Sequence, residues 1–221
     1  MRRLCLADKV GGFPGFNGRG AHASGLARRD ALEHPRHARW VNPFSGRPQF
    51  VSFSHARVVV FWSKNPLPLL PLLPEVEARG LAWYMEFTLN DYEAEGWEPG
   101  LPPLARRVET LRRFADAAGP ERVIWRFDPL MLAGRLASDP AGGEALLARM
   151  ERLGRALQGY TRKLVFSFAD IAAYRKVREN LRRAGLAWRE FTEEEQQRVA
   201  RGVAHLAASL GMNSTLWCTL R

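Results

Sequence analysis

The side chains that could do chemistry in this sequence stand where its apolar runs end. Residues 58–63 (VVVFWS) lead straight into Lys64 and Asn65. Along 82–89 (AWYMEFTL) the alternate residues Tyr84, Glu86 and Thr88, followed by Asn90, are polar, while Trp83, Met85, Phe87 and Leu89 are apolar. Arg126 and Asp128 share one face of the next run, opposite Val123, Trp125 and Phe127, and 164–168 supplies Ser167 with Asp170 just beyond. Successive strand residues point to opposite faces, so each polar set falls on one side. The carboxylates Glu86 and Asp128 could work as acid and base, or hold the ribose or amine of a nucleoside-like molecule. Arg126 or Lys64 could hold a carboxylate or phosphate. Burying the Lys64 ammonium alone would be costly, so Glu86, Asp128 or Asp170 is expected across from it. Glu86, Arg126 and Asp128 are therefore the catalytic candidates, with Lys64, Asn65, Thr88, Ser167 and Asp170 as ligand-binding candidates. The competing reading is an internal salt-bridge network that only fixes strand register.

These groups need a scaffold that brings strand ends together. Strand-like runs at 58–63, 82–89, 123–127 and 164–168, and a weaker one at 215–220, alternate with helical stretches. Residues 102–118 carry Leu104, Val108, Leu111 and Phe114 on one face and stop at Gly119. Residues 144–157 and 172–184 behave alike, and Thr192 to Glu195 reads as a capping box before Val199, Val203 and Leu206. Nearly continuous apolar strands separated by helices predict an α/β fold, a partial (β/α) barrel with parallel strands and outer helices. In such a barrel the C-terminal strand ends form the mouth where sites gather. No G-x-G-x-x-G follows any strand, which argues against a dinucleotide fold. With four clear strands and no evident first one, Val58–Trp62 is expected to be an edge open to self-association unless residues 1–57 cover it.

Length and composition are those of one globular domain: 221 residues, 46% hydrophobic and 25% charged. Residues 1–39 are glycine-rich, lack a period and read as an irregular or disordered basic arm, leaving 40–221 for the barrel. There is no run of 18 apolar residues, and Leu4–Ala7 is too short for a signal peptide core, so a cytoplasmic protein without a membrane span is expected. Cys5 and Cys218 lie at opposite ends and no histidine pair has ligand spacing, so a metal or iron–sulfur site of this chain alone is not expected. The formal net charge of +10 admits nucleic acid as a partner through the basic surface. In that reading Trp40, Phe44, Phe50 and Phe53 would stack on bases beside Arg39 and Arg47, although core contacts explain them better. A metal-free barrel hydrolase or isomerase using Glu86 and Asp128 is a further alternative.

The segments FWSKNP, EFTLNDYEAEG, GPERVIWRFDPL and LVFSFADI, in this order, resemble the motifs of an uncharacterised bacterial family, the domain of unknown function eighteen-forty-eight. The resemblance spans about residues 39 to 212. It implies similarity to radical S-adenosylmethionine enzymes, a barrel and, in full-length members, a C-terminal cysteine cluster holding an iron–sulfur centre. S-adenosylmethionine and the cluster are thus implied by the resemblance alone. Both ends depart from the pattern: KVGGFPGFNG stands where members open S-x-R-R-T-D-I-P-A-F, and the chain finishes NSTLWCTLR. Cys218 by itself cannot replace three or four thiolates. The resemblance therefore implies a truncated or frame-disturbed product, with a polar pocket for a small anionic or nucleoside-like ligand but without the electron chemistry of the family.

Overall fold

The computed structural model describes residues 4–7, 37–41, 48–52, 56–141 and 143–217. Strands run in chain order as β1 (Leu4–Ala7), β2 (His37–Val41), β3 (Pro48–Ser52), β4 (Val58–Ser63), β5 (Ala82–Thr88), β6 (Val123–Leu130), β7 (Leu132–Ala133), β8 (Lys163–Phe168), β9 (Trp188–Arg189) and β10 (Asn213–Leu216). Helices are α1 (Leu73–Ala78), α2 (Leu104–Ala118), α3 (Glu144–Leu157), α4 (Arg175–Arg183) and α5 (Glu193–Ser209). Six strands make one sheet in the order β1-β4-β5-β6-β8-β10, every pair parallel. Each crossover adds its strand on the same side of the last. Because parallel crossovers are right-handed, that order collects the connecting helices on one face, as in an arc of a barrel. The opposite face is left to the polar residues.

The helix side holds the core. Trp83, Met85, Phe87, Trp125, Phe127, Leu164 and Phe166 are buried there against Leu111 and Phe114 of α2, Leu146 and Met150 of α3, and Val199 and Val203 of α5. Each such side chain contributes roughly 1.5–3 kcal/mol by leaving water. Contact is close enough that a Cβ at Gly154 of α3 would meet Leu210 at 2.6 Å and the Trp125 ring at 3.5 Å. The capping box forms as expected: Glu195 N donates to Thr192 Oγ1 at 3.2 Å, and Thr192 N to Glu195 Oε2 at 2.9 Å. Among the described residues no helix is long and apolar enough to cross a membrane.

The N-terminal segment differs from its sequence reading. Leu4–Ala7, assigned to the irregular arm, pairs in parallel with β4 over Val59–Trp62. Four apolar residues are too few to show a period, yet they suffice to cover the backbone of one strand. The edge expected at β4 is therefore interior, and β1 and β10 flank the sheet. Residues 8–36 of the arm lie outside the described residues, as do Phe44, Arg47 and Phe53. Trp40 and Phe50 fall in the antiparallel pair β2–β3, of which the backbone register is described.

Candidate functional site

Arg126 is the hub of the open face. With Trp125 and Phe127 turned to the helices, alternation sends Arg126 and Asp128 the other way. Register brings Thr88 of β5 and Val165 of β8 beside Arg126. The guanidinium is 1% exposed and donates through Nη1 to Glu86 Oε2 at 2.6 Å and through Nε to Asp128 Oδ2 at 3.2 Å, with Nη2 also on Asp128 Oδ2. Its plane is covered by the Trp62 ring at 4.4 Å and the Trp217 ring at 5.1 Å. The Trp62 indole N–H donates to Thr88 Oγ1 at 2.8 Å, fixing the first ring. Ser167 Oγ donates to the second Asp128 oxygen, Oδ1.

Above this cluster lies a cavity of roughly 370 Å³ at the C-terminal edge of the sheet. Its wall combines the Arg126–Asp128–Ser167 group and Asp170 with aromatic rings from Trp62, Phe168, Tyr174 and Trp217. That volume lies in the range of small-molecule sites, roughly 300–1,000 Å³, and so does the mix of apolar lining with a few convergent polar groups. Of the candidates read from sequence, Glu86, Arg126, Asp128 and Ser167 come together through hydrogen bonds, Thr88 joins them by register with Arg126 and through the Trp62 indole, and Asp170 shares the cavity. Asp170 Oδ1 also accepts from Ala173 N at 3.0 Å, which shapes the turn before α4.

Lys64 and Asn65 do not join them. Lys64 Nζ donates to Glu98 Oε1 at 2.6 Å, so its partner is none of Glu86, Asp128 and Asp170. Glu98 is 5% exposed and also holds Arg107 Nη1 at 3.0 Å and Asn90 Nδ2 at 3.2 Å. The lysine at the strand exit thus anchors the 89–103 loop. Neighbouring acids do the same: Glu95 takes both Nη groups of Arg149 of α3 at 2.8 and 2.7 Å, and Glu93 Oε1 receives the Leu104 N–H at the start of α2. Asn65 contributes its backbone N–H to Ser63 Oγ at 3.1 Å, away from the cavity wall.

Sequence reasoning missed Asn90 as a positioning group, Glu98, and the rings of Trp62, Tyr174 and Trp217. Asn90 was visible as the last member of the Tyr84–Glu86–Thr88 alternation. Glu98 sits in a loop with no period to betray it, and the tryptophans look like core in any hydropathy pattern. Tyr92, buried beneath the loop, donates its hydroxyl to Pro129 O at 2.7 Å and accepts from Met131 N at 3.2 Å. Burial pushes its phenol well above the ordinary value, against the opposing effect of the Met131 N–H, so it remains a donor.

An iron–sulfur centre would need several thiolates. The side chains of Cys5 and Cys218 lie outside the described residues. Among those described, no three His, Cys, Asp or Glu side chains form a group that could hold a metal ion. The described groups do not fit such a centre, and the cavity's chemistry is that of its carboxylates, hydroxyl and rings. A family model described as Domain of unknown function (DUF1848) matches residues 34–220. The chain belongs to this family. The DUF1848 match takes in every sheet strand except β1 and every residue lining the cavity. Comparisons with curated proteins and with solved structures gave no match.

Proposed function

We propose that the cavity binds a small nucleoside-like molecule that is neutral or cationic, with an aromatic ring against the indole and phenol rings and hydroxyl or amine groups on Asp128 and Asp170. The observation that carries this reading is the charge balance around Arg126. Its Nε, Nη1 and Nη2 atoms are already engaged by Glu86 and Asp128, and the rings of Trp62 and Trp217 lie against its Cζ at 4.4 and 5.1 Å. Asp170 is the second carboxylate of the wall beside Asp128, while Glu86 holds Arg126 from outside the lining. Two lining carboxylates against one guanidinium, itself also paired with Glu86, leave a formally acidic cavity, and Lys64 is occupied by Glu98. An anionic ligand would meet like charge in a partly desolvated site, which costs several kcal/mol on the order of a failed complementary pairing. The anion-binding role expected of Arg126 and Lys64 is therefore replaced by a structural one, while the nucleoside-like half of the expectation is retained.

S-adenosylmethionine, implied by the resemblance to radical enzymes, is one member of this ligand class, since it carries a nucleoside and a sulfonium cation. Asp128 and Asp170 would take its ribose hydroxyls or its amine. Asp128 accepts from Ser167 through Oδ1, the oxygen that Arg126 does not hold, and the remaining lone pairs of its carboxylate can accept a hydrogen bond from a bound hydroxyl or amine. Quenching of tryptophan fluorescence tests the reading, because Trp62 and Trp217 both line the cavity. Adenosine and S-adenosylmethionine should quench saturably, and benzoate and inorganic phosphate should not. Saturable binding of the two anions with none of adenosine would reverse the assignment.

A further inference from the structure

The acidic cavity has a basic lip. Helix α4 reads RKVRENLRR, five cations and one acid in nine residues. Arg175 reaches Glu179 at 3.8 Å. Arg178, Arg182 and Arg183 have no side-chain hydrogen bond or ion pair among the described residues. Arg178 and Arg182 are four residues apart and so stand on one ridge of the helix. Val177, next to Arg178, lines the cavity, and so does Tyr174 one turn earlier. Half-buried Arg178 and exposed Arg182 thus continue the helix ridge that starts at Tyr174 of the mouth.

A second feature points the same way. Among the described residues the exposed large hydrophobic side chains are Tyr174 at 53%, Trp217 at 53% and Leu216 at 41%, and the two aromatic ones both belong to this mouth. Aromatic rings left half in water beside arginines are the parts from which sequence-tolerant nucleic-acid grooves are made: bases stack on rings while phosphates follow the cations. Carboxylates inside and guanidinium groups outside match a ligand whose bases are uncharged and whose backbone is anionic. The bases must be unstacked to reach the rings, which a duplex does not allow.

We propose that α4, Tyr174 and Trp217 form a binding surface for single-stranded nucleic acid, with phosphates along Arg178, Arg182 and Arg183 and one base at the cavity mouth. Placement of that base rests on the nucleoside reading of the cavity; the phosphate contacts to α4 do not.

Fluorescence anisotropy with a labelled single-stranded 12-mer and the full chain tests the proposal at 50 and 200 mM salt. Each phosphate contact on a single strand adds about −0.7 to the slope of log K against log salt. The triple substitution Arg178→Gln/Arg182→Gln/Arg183→Gln should flatten the slope by about 2 and weaken binding at 50 mM salt about tenfold or more. Trp217→Ala and Tyr174→Ala should each weaken it roughly tenfold through lost stacking, with the salt slope unchanged. Thermal melting of the triple variant should stay close to the parent's, since among the described residues none of the three makes a side-chain hydrogen bond or ion pair and only Arg178 is half-buried. Absence of binding at 50 mM salt, an unchanged slope in the triple variant, tighter binding of a duplex, mononucleotide binding as tight as the 12-mer, or tighter binding of phosphatidylserine vesicles would each overturn it. Failure of adenosine to bind, with arginine-dependent 12-mer binding intact, would remove the cavity reading and leave this surface standing.

Discussion

Asn90 and Asp128 are joined twice: the Asp128 N–H donates to Asn90 Oδ1 at 2.9 Å, and Asn90 Nδ2 donates to the Asp128 carbonyl at 3.1 Å. The side-chain amide pairs with both backbone groups of Asp128, as a neighbouring strand would, just past the end of β5. That pairing holds the Asp128 backbone and, with it, the carboxylate that Arg126 and Ser167 share. Through Glu98, which accepts from both Asn90 and Lys64, the cavity floor is tied to the loop.

Asn90→Ala should therefore destabilise the chain by about 3 kcal/mol. It removes bonds worth about 1 kcal/mol each and leaves partners at a buried position unsatisfied. Urea unfolding measures this. A loss below about 1 kcal/mol would mean that water replaces the amide.

Arg126→Met leaves Glu86 and Asp128 facing each other without their cation, an expected loss of about 3–5 kcal/mol. Adding Glu86→Gln should recover part of it, because one of the stranded charges is then gone. The double-mutant cycle by chemical denaturation checks the coupling. Simple additivity of the two changes would show that Glu86 and Arg126 are not a pair in solution.

The alternation read along 123–128 placed Arg126 and Asp128 on one face correctly, because a period of two survives in any strand whose other side is core. The capping box at Thr192 and the span of α3 were equally legible. Less so was the loop after β5, whose acids resembled site residues by type. Glu93, Glu95 and Glu98 find cations or an N–H far away in sequence, and no local pattern reports such partners. Trp217 was counted as strand, although its ring lies over Arg126 at the cavity mouth.

The Glu95–Arg149 pair sets an acid limit. Burial raises the Glu95 pKa, but the hydrogen bonds and charge of Arg149 outweigh it, so the folded value lies below the ordinary carboxylate value of 4.5. A depressed folded pKa means stability that is fully present above the unfolded value and lost as pH falls through the folded one. Denaturation midpoints of the parent should fall from pH 5 downward. Glu95→Gln should be less stable than the parent at pH 6, with a shallower decline below pH 4.5. Parallel pH profiles for the two proteins would refute the assignment.

Deleting residues 1–8 would strip β1 from β4 and expose a row of N–H and C=O groups beside Val59 and Phe61. Exposed edges of this kind template pairing with other chains. Light scattering should show the mass of the deleted protein rising with concentration more steeply than that of the full chain. Equal, concentration-independent masses would mean that β1 is not needed to cover the edge.

The cavity's preference for an uncharged or cationic nucleoside is tested most directly by calorimetric titration of the full chain with adenosine, repeated on Asp128→Asn. Adenosine should bind the parent, and the substitution should weaken binding about tenfold or more by removing a charged acceptor, a change on the order of 1.4 kcal/mol or more. Adenosine binding that Asp128→Asn leaves unchanged, or an affinity gained for benzoate in the parent, would contradict the account.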